Sequence, residues 1–181
     1  MIFKTITKYL LFLFVICLGF SGAYAQDPPG GQGDPPTSKF GGLQISRTDL
    51  IKQIVSSDSS FVFKETGKVD GMPIFSATSI NGAHVEIIGT ENNMRQAKWT
   101  MLFSKDGPAN RAAFIRIGYF LTLVCLLKKE VLFWYNQQLE SLLKMVSSSD
   151  PTPTASTVIN ADTFTCTYLK AVKGISVTVT D

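Results

Sequence analysis

Alternating apolar and polar positions dominate residues 61–103 and predict strands rather than helices. Two Asx-Gly pairs, Asp70-Gly71 and Asn81-Gly82, separate the first three runs. Such pairs favour two-residue hairpins, because these turns need positive φ at both central residues. A loop over residues 92–96 leads to a fourth run. The pattern therefore predicts a four-stranded antiparallel meander with one buried face and one solvated face.

Reading both turns as two-residue hairpins also predicts the register of this meander. Ile80 then lies opposite Ala83, and the first turn places Glu65 opposite Ser76. Directly opposed residues share a face of a sheet, so the register predicts which side chains are buried. The predicted buried face carries Phe61, Phe63, Ile74, Ile80, Val85 and Ile87, and the fourth strand adds Trp99, Met101 and Phe103.

Helical periodicity follows the sheet, from Pro108 to about Val146, and predicts one long helix. Pro108 suits the first helical turn, where its missing N–H costs nothing. A straight helix of this length would exceed about 50 Å, which is longer than the sheet. We therefore expect a kink near Gly118 or a break near Lys128-Lys129. A shorter amphipathic helix, capped by Ser46, is predicted before the sheet and ends near Ser57.

The C-terminal part is predicted to complete the sheet. Residues 147–161 predict a loop, and two alternating runs at 163–169 and 175–180 predict a final hairpin or one long bent strand. The expected fold is α+β: a four-stranded antiparallel meander plus a C-terminal hairpin, curved around one long helix. From Ser46 to Val146 this element order is similar to helix-grip and TATA-binding-protein-like arrangements. The resemblance implies no active site, because such folds carry unrelated functions.

The N-terminal 25 residues have the features of a secretory signal peptide. Lys4 and Lys8 precede an uncharged apolar run, and Ala23-Tyr24-Ala25 supplies the small-x-small cleavage pattern. The run has about 12 residues, whereas a membrane-spanning helix needs about 20. We therefore predict a secreted or periplasmic protein without a transmembrane segment after cleavage. Residues 26–42 are rich in Pro and Gly and predict a flexible linker, which leaves residues 43–181 as one domain.

Charge and cysteine content change this picture in two ways. Without the leader, the seventeen basic residues become fifteen against fourteen acidic ones. This near-neutral balance argues against nucleic acid as a partner. Cys125 and Cys166 remain, and export would permit a disulfide between them. Two buried free thiols fit the sequence as well, so both possibilities stay open.

Residues for catalysis or metal binding are sparse. His84 is the single histidine, it falls on the predicted solvent face, and no nucleophile elbow accompanies it. A metal site needs several converging His, Cys or acidic ligands. We therefore expect no cofactor, no metal and no enzymatic activity.

The long helix carries more apolar surface than one sheet can cover. Between Ala112 and Leu127 the single charge is Arg116. The surplus surface is covered by the short helix and the final hairpin, contacts a protein partner or a second copy, or lines an apolar ligand pocket. Arg116 either pairs with Glu65 or extends to solvent at the edge of the sheet.

These observations favour a non-enzymatic binding or interaction domain of unknown partner. The alternative is a carrier that holds an apolar or amphipathic small molecule between helix and sheet. The candidate ligand- or partner-binding residues are Trp99, Met101, Phe103, Arg116 and Phe120.

Overall fold

The computed structural model describes residues 41–105, 107–124, 129–144, 153–159 and 161–181. These ranges contain one antiparallel sheet of seven strands. The strands are β1 (Lys64–Val69), β2 (Met72–Thr78), β3 (His84–Thr90), β4 (Asn93–Leu102), β5 (Thr154–Ile159), β6 (Asp162–Leu169) and β7 (Gly174–Thr180). Their order across the sheet is β1-β2-β3-β4-β7-β6-β5. The predicted signal peptide and most of the predicted linker lie outside the described residues.

Three helices accompany the sheet in the described ranges: α1 (Arg47–Ser57), α2 (Gly107–Val124) and α3 (Lys129–Lys144). Within the segment predicted as one long helix the structure describes two helices, α2 and α3. The predicted break near Lys128-Lys129 falls at the border of residues 125–128, which lie outside the described ranges. The α+β class with an antiparallel sheet is confirmed. The sheet of seven strands leaves the helix-grip arrangement unconfirmed. None of the described helices is long and apolar enough to cross a membrane.

Helix α1 begins and ends where the sequence predicts. The Ser46 hydroxyl accepts a hydrogen bond from the Asp49 backbone N–H at 3.0 Å and donates to the Asp49 carboxylate at 2.7 Å. This N-cap satisfies a backbone donor that the first turn would otherwise leave unpaired. Leu50 and Ile54 lie one turn apart and are buried against the core.

The first hairpin follows the predicted register only near its turn. Asp70 and Gly71 both have positive φ, 49° and 77°, as a type I′ turn requires. Pairing of Gly67 with Ile74 is confirmed, but a bulge between Glu65 and Gly67 shifts the rest of β1. Glu65 therefore lies opposite Phe75, and the predicted pairing of Glu65 with Ser76 is wrong.

The second turn is longer than a two-residue hairpin. Gly82 has a positive φ of 75°, and the Ser79 N–H bonds the Ala83 carbonyl at 2.8 Å. Thr78 consequently pairs with His84, whereas the predicted register pairs it with Val85. This one-residue difference reverses the faces of β2. Ile80, predicted to be buried, is 88% exposed.

Because of the same shift, the residues of β2 that face the helices are not the predicted ones. Phe75 and Ala77 face the helices, opposite Ile87 and Val85, while Ile74 pairs with Ile88 on the outer face. The predicted burial of Ile74 against the helices is therefore wrong.

The C-terminal part contains one strand more than predicted. Residues 154–159, predicted as loop, form β5 and pair with β6. Short β-branched runs flanked by Pro and polar residues are ambiguous in sequence, and pairing to a neighbouring strand decides them. The final hairpin is confirmed as β6 and β7, joined through a short 3-10 helix at Lys170–Val172. β7 lies between β6 and β4, so the hairpin extends the meander directly.

The three helices and the inner face of the sheet enclose one hydrophobic core. The outer face carries mostly hydroxyl side chains on its C-terminal half. Its cross-strand hydroxyl pairs join Thr100 to Ser176, Thr154 to Thr167 and Ser156 to Thr165.

Candidate functional site

Three of the predicted binding residues lie in the core between the sheet and α2. Trp99, Met101 and Phe120 are all buried. The Trp99 ring lies 5.5 Å from the Phe120 ring and 5.3 Å from the Phe61 ring, measured between centroids. These distances are those of directly packed aromatic pairs. The structure brings these predicted residues together, and it places them away from solvent.

Phe103 lies at the border of this core. Its ring is 5.6 Å from Phe114 on α2 and 6.0 Å from Tyr168 on β6. Phe103 is partly buried and fixes the start of α2 against the sheet.

Arg116 is separated from the other candidates and lines an open groove between the C-terminal end of α1 and the middle of α2. The groove has a volume of about 400 Å³, and its lining consists of Ser56, Ser57, Ile115, Arg116 and Tyr119. Ile115 is 41% exposed and Tyr119 is 40% exposed. The Tyr119 hydroxyl donates to the Gln53 side-chain carbonyl at 3.2 Å, which ties the two helices together beside the groove.

Arg116 forms an ion pair with Asp58, not with Glu65. Its Nη1 lies 3.2 Å from Asp58 Oδ2, and the Asp58 side chain is only 9% exposed. The predicted pairing with Glu65 is wrong, because Glu65 lies on the fully exposed edge strand β1. Asp58 follows α1 directly, and α1 packs against α2. The carboxylate therefore reaches Arg116 from the neighbouring helix.

Asp58 is held by several hydrogen bonds besides this ion pair. Its Oδ1 accepts from the Ser60 backbone N–H at 3.1 Å and from the Ser60 hydroxyl at 2.7 Å. Burial alone raises the pKa of the Asp58 carboxyl. The Ser60 hydrogen bonds, the Arg116 charge and the nearby Asn81 side chain outweigh burial and hold this pKa below its ordinary value of 3.8. Asp58 is thus ionised at neutral pH.

The contact between the two charges is electrostatic rather than a hydrogen bond. Asp58 Oδ2 is buried and has no hydrogen-bond partner among the described residues, although Arg116 Nη1 is within 3.2 Å. The Arg116 side chain is 30% exposed. Arg116 therefore lines the groove while Asp58 holds its charge in place.

Asp58, Ile115 and Tyr119 are site residues that the sequence reasoning did not select. A local signal existed for Asp58: it comes at the end of the predicted helix, two residues before Ser60. This spacing is typical of an Asx turn, in which the carboxylate accepts the backbone N–H two residues on. For Ile115 and Tyr119 the signal is helical periodicity, which places both beside the polar stripe of Arg111, Gly118 and Thr122.

Cys166 is buried on the inner face of β6 and forms no disulfide within the described residues. Burial raises the pKa of this thiol to about 12. Burial also raises the pKa of Tyr135 on α3 well above 10, with a smaller contribution from Cys166. Cys125 lies outside the described residues, so a Cys125–Cys166 disulfide and two free thiols both stay predictions.

The described residues contain no group of three or more His, Cys, Asp or Glu that could hold a metal ion. His84 lies on the outer face of the sheet, where its Nδ1 is 2.9 Å from the Thr78 hydroxyl.

The groove combines a positioned cation with two exposed apolar side chains. Both lining serine hydroxyls donate to carbonyls of their own helix: Ser56 to Lys52 at 2.8 Å and Ser57 to Ile54 at 2.7 Å. Neither serine is bonded to a general base, as an activated nucleophile requires. The arrangement suits binding of a group that is partly apolar and partly anionic. Comparisons with protein families, with curated protein sequences and with solved structures found no match to this chain.

Proposed function

We propose that this chain is a secreted or periplasmic, non-enzymatic binding domain and that its partner docks on the groove between α1 and α2. The observation that carries the proposal is the pair Ile115 and Tyr119. Both are large, both are exposed, and both flank the positioned cation of Arg116. Exposed apolar residues rimmed by polar groups are typical of protein interaction sites. The predicted signal peptide is the argument for export.

The chemistry of the groove favours one kind of partner. An apolar side chain can bury against Ile115 and Tyr119, while a carboxylate can pair with the positive charge of Arg116. Tyr and Arg are also the residue types that contribute most in protein interfaces. We therefore propose a protein segment with an apolar residue next to an acidic one.

A carrier of an apolar or amphipathic small molecule, held between helix and sheet, is the second candidate. One observation favours it: Trp99 Nε1 and the Tyr135 hydroxyl are buried and have no hydrogen-bond partner among the described residues. Such orphaned groups call for an additional polar partner. Against it stands the direct ring packing of Trp99 on Phe61 and Phe120, which fills the space where a ligand would lie.

Native mass spectrometry of the chain purified from an export-competent host tests both candidates. The binding proposal expects a co-purified protein that Ile115→Ser releases and Ile80→Ser retains. The two variants remove the same side chain from exposed positions inside and outside the groove. Losing one buried isoleucine contact weakens binding by about tenfold or more.

A monomer that carries extra small-molecule mass would support the carrier instead. Partner capture that both isoleucine variants leave unchanged would contradict docking at the groove.

A further inference from the structure

Strand β5 forms one edge of the sheet. Within the described ranges it pairs with β6 alone, and the strand order ends at β5. Residues 154–159 read TASTVI, with no charged residue, no proline and no register shift against β6. A flat, uncharged edge offers its backbone groups to another strand, and proteins ordinarily protect such edges.

The opposite edge, β1, carries the usual protection. Its sequence contains Lys64, Glu65 and Lys68, and a bulge interrupts its pairing between Glu65 and Gly67. Charged side chains and bulges both discourage strand addition. The two edges of this sheet therefore differ, because β5 lacks both the charged side chains and the bulge that protect β1.

The backbone direction of β5 follows from its contact with β6. The Tyr168 N–H donates to the Pro153 carbonyl at 2.9 Å, so Pro153 directs its carbonyl toward β6. Hydrogen-bonding direction alternates along an antiparallel strand. Ala155 and Thr157 therefore bond β6, whereas Ser156 and Val158 direct their N–H and C=O groups away from it.

Like its backbone groups, the side chains at this edge suit the addition of another strand. Val158 is 65% exposed at the edge of the outer face. Its cross-strand neighbour on β6 is Thr163, and Ser156 lies opposite Thr165 at a hydroxyl-to-hydroxyl distance of 2.9 Å. The surface that continues inward from the edge is thus uncharged.

We propose that β5 pairs antiparallel with β5 of a second copy of this chain, which joins two sheets across a two-fold axis. A two-fold contact requires a surface that complements itself. β5 meets this requirement, since outward groups of Ser156 on one copy meet those of Val158 on the other. It also brings no like charges together, because residues 154–159 carry no charged side chain.

This contact is separate from the proposed partner site on the groove. A six-residue strand buries less surface than a standard interface, so we expect a dissociation constant on the order of micromolar or weaker.

Sedimentation velocity over a concentration series tests the proposal, with Val158→Lys and Thr163→Lys as a matched pair. Both place a lysine on the same face at directly paired positions, but only Val158 is on the edge strand. We expect the wild type to dimerise, Val158→Lys to weaken the dimer at least tenfold, and Thr163→Lys to change it less than about threefold. Ile115→Ser should leave the dimer intact, which separates this contact from the groove.

Ser156→Pro is the second variant, because it removes an outward N–H and keeps the ladder to β6. Amide hydrogen exchange should show protection of Ser156 and Val158 that rises with protein concentration, while Thr157 stays protected at every concentration. A wild type that is monomeric up to about 1 mM would overturn the proposal. A dimer that survives both Val158→Lys and Ser156→Pro would overturn it as well.

Discussion

The ion pair between Arg116 and Asp58 allows a quantitative test of how the groove is built. Asp58→Asn keeps the shape of the side chain and removes its charge, while Arg116→Met keeps the length of the stem and removes the guanidinium. The charged atoms are 3.2 Å apart, and the side chains are 9% and 30% exposed for Asp58 and Arg116. The pair is thus intermediate between a surface and a buried ion pair.

This intermediate burial sets the expected magnitude. Exposed ion pairs contribute about 0.2–1 kcal/mol, whereas breaking a buried pair costs about 3–5 kcal/mol. The contact also lacks hydrogen-bond geometry. We expect a coupling energy of about 1–2 kcal/mol between the two substitutions. Asp58→Asn alone should cost about 2 kcal/mol, because it also weakens the charge-assisted hydrogen bonds from Ser60.

The pH dependence of stability has a definite sign. The folded-state pKa of Asp58 is below its ordinary value, so its ionised form is favoured by folding. The stability that it contributes is fully present above the unfolded-state pKa of about 4 and is lost as pH falls through the folded-state pKa. The difference between the wild type and Asp58→Asn should therefore shrink below about pH 4.

Urea unfolding of the wild type, both single variants and the double variant measures the coupling. The matched control replaces Asp58→Asn by Glu65→Gln, combined with the same Arg116→Met. Because Glu65 is exposed on β1, this second cycle should show no coupling. A coupling energy below about 0.3 kcal/mol between Arg116 and Asp58, or one above that value between Arg116 and Glu65, would refute the ion pair between Arg116 and Asp58.

Two further predictions concern the polar groups of the core. Tyr135→Phe removes a buried hydroxyl that has no hydrogen-bond partner among the described residues. The free energy of unfolding should therefore stay equal or rise by about 1 kcal/mol. A fall in the free energy of unfolding by more than about 1 kcal/mol would show that the hydroxyl is hydrogen-bonded. With Cys17 and Cys125 replaced by serine, Cys166 should resist thiol reagents at pH 8 in the native state and react fully in denaturant, because burial raises its pKa to about 12. Rapid native labelling at pH 8 would contradict this burial.

Local patterns predicted the elements better than the contacts between them. The capped helix α1, the meander and the final hairpin follow from spacing and turn residues. The register after Asn81-Gly82 does not, because a longer loop there is compatible with the same sequence. That one-residue difference exposes Ile80 and turns Phe75 inward. Period-two alternation specifies two faces but not which turn length connects them.

The sequence by itself determined that this chain builds an α+β domain with an antiparallel sheet, because hydrophobic periodicity and capping act over a few residues. It also identified Trp99, Met101 and Phe120 as large apolar positions. Only the tertiary structure decided that these side chains fill a core while Arg116 lines a groove with Asp58. β5 likewise became a strand, and an edge, through pairing with β6. Such outcomes depend on contacts between residues distant in the chain, which no local pattern encodes.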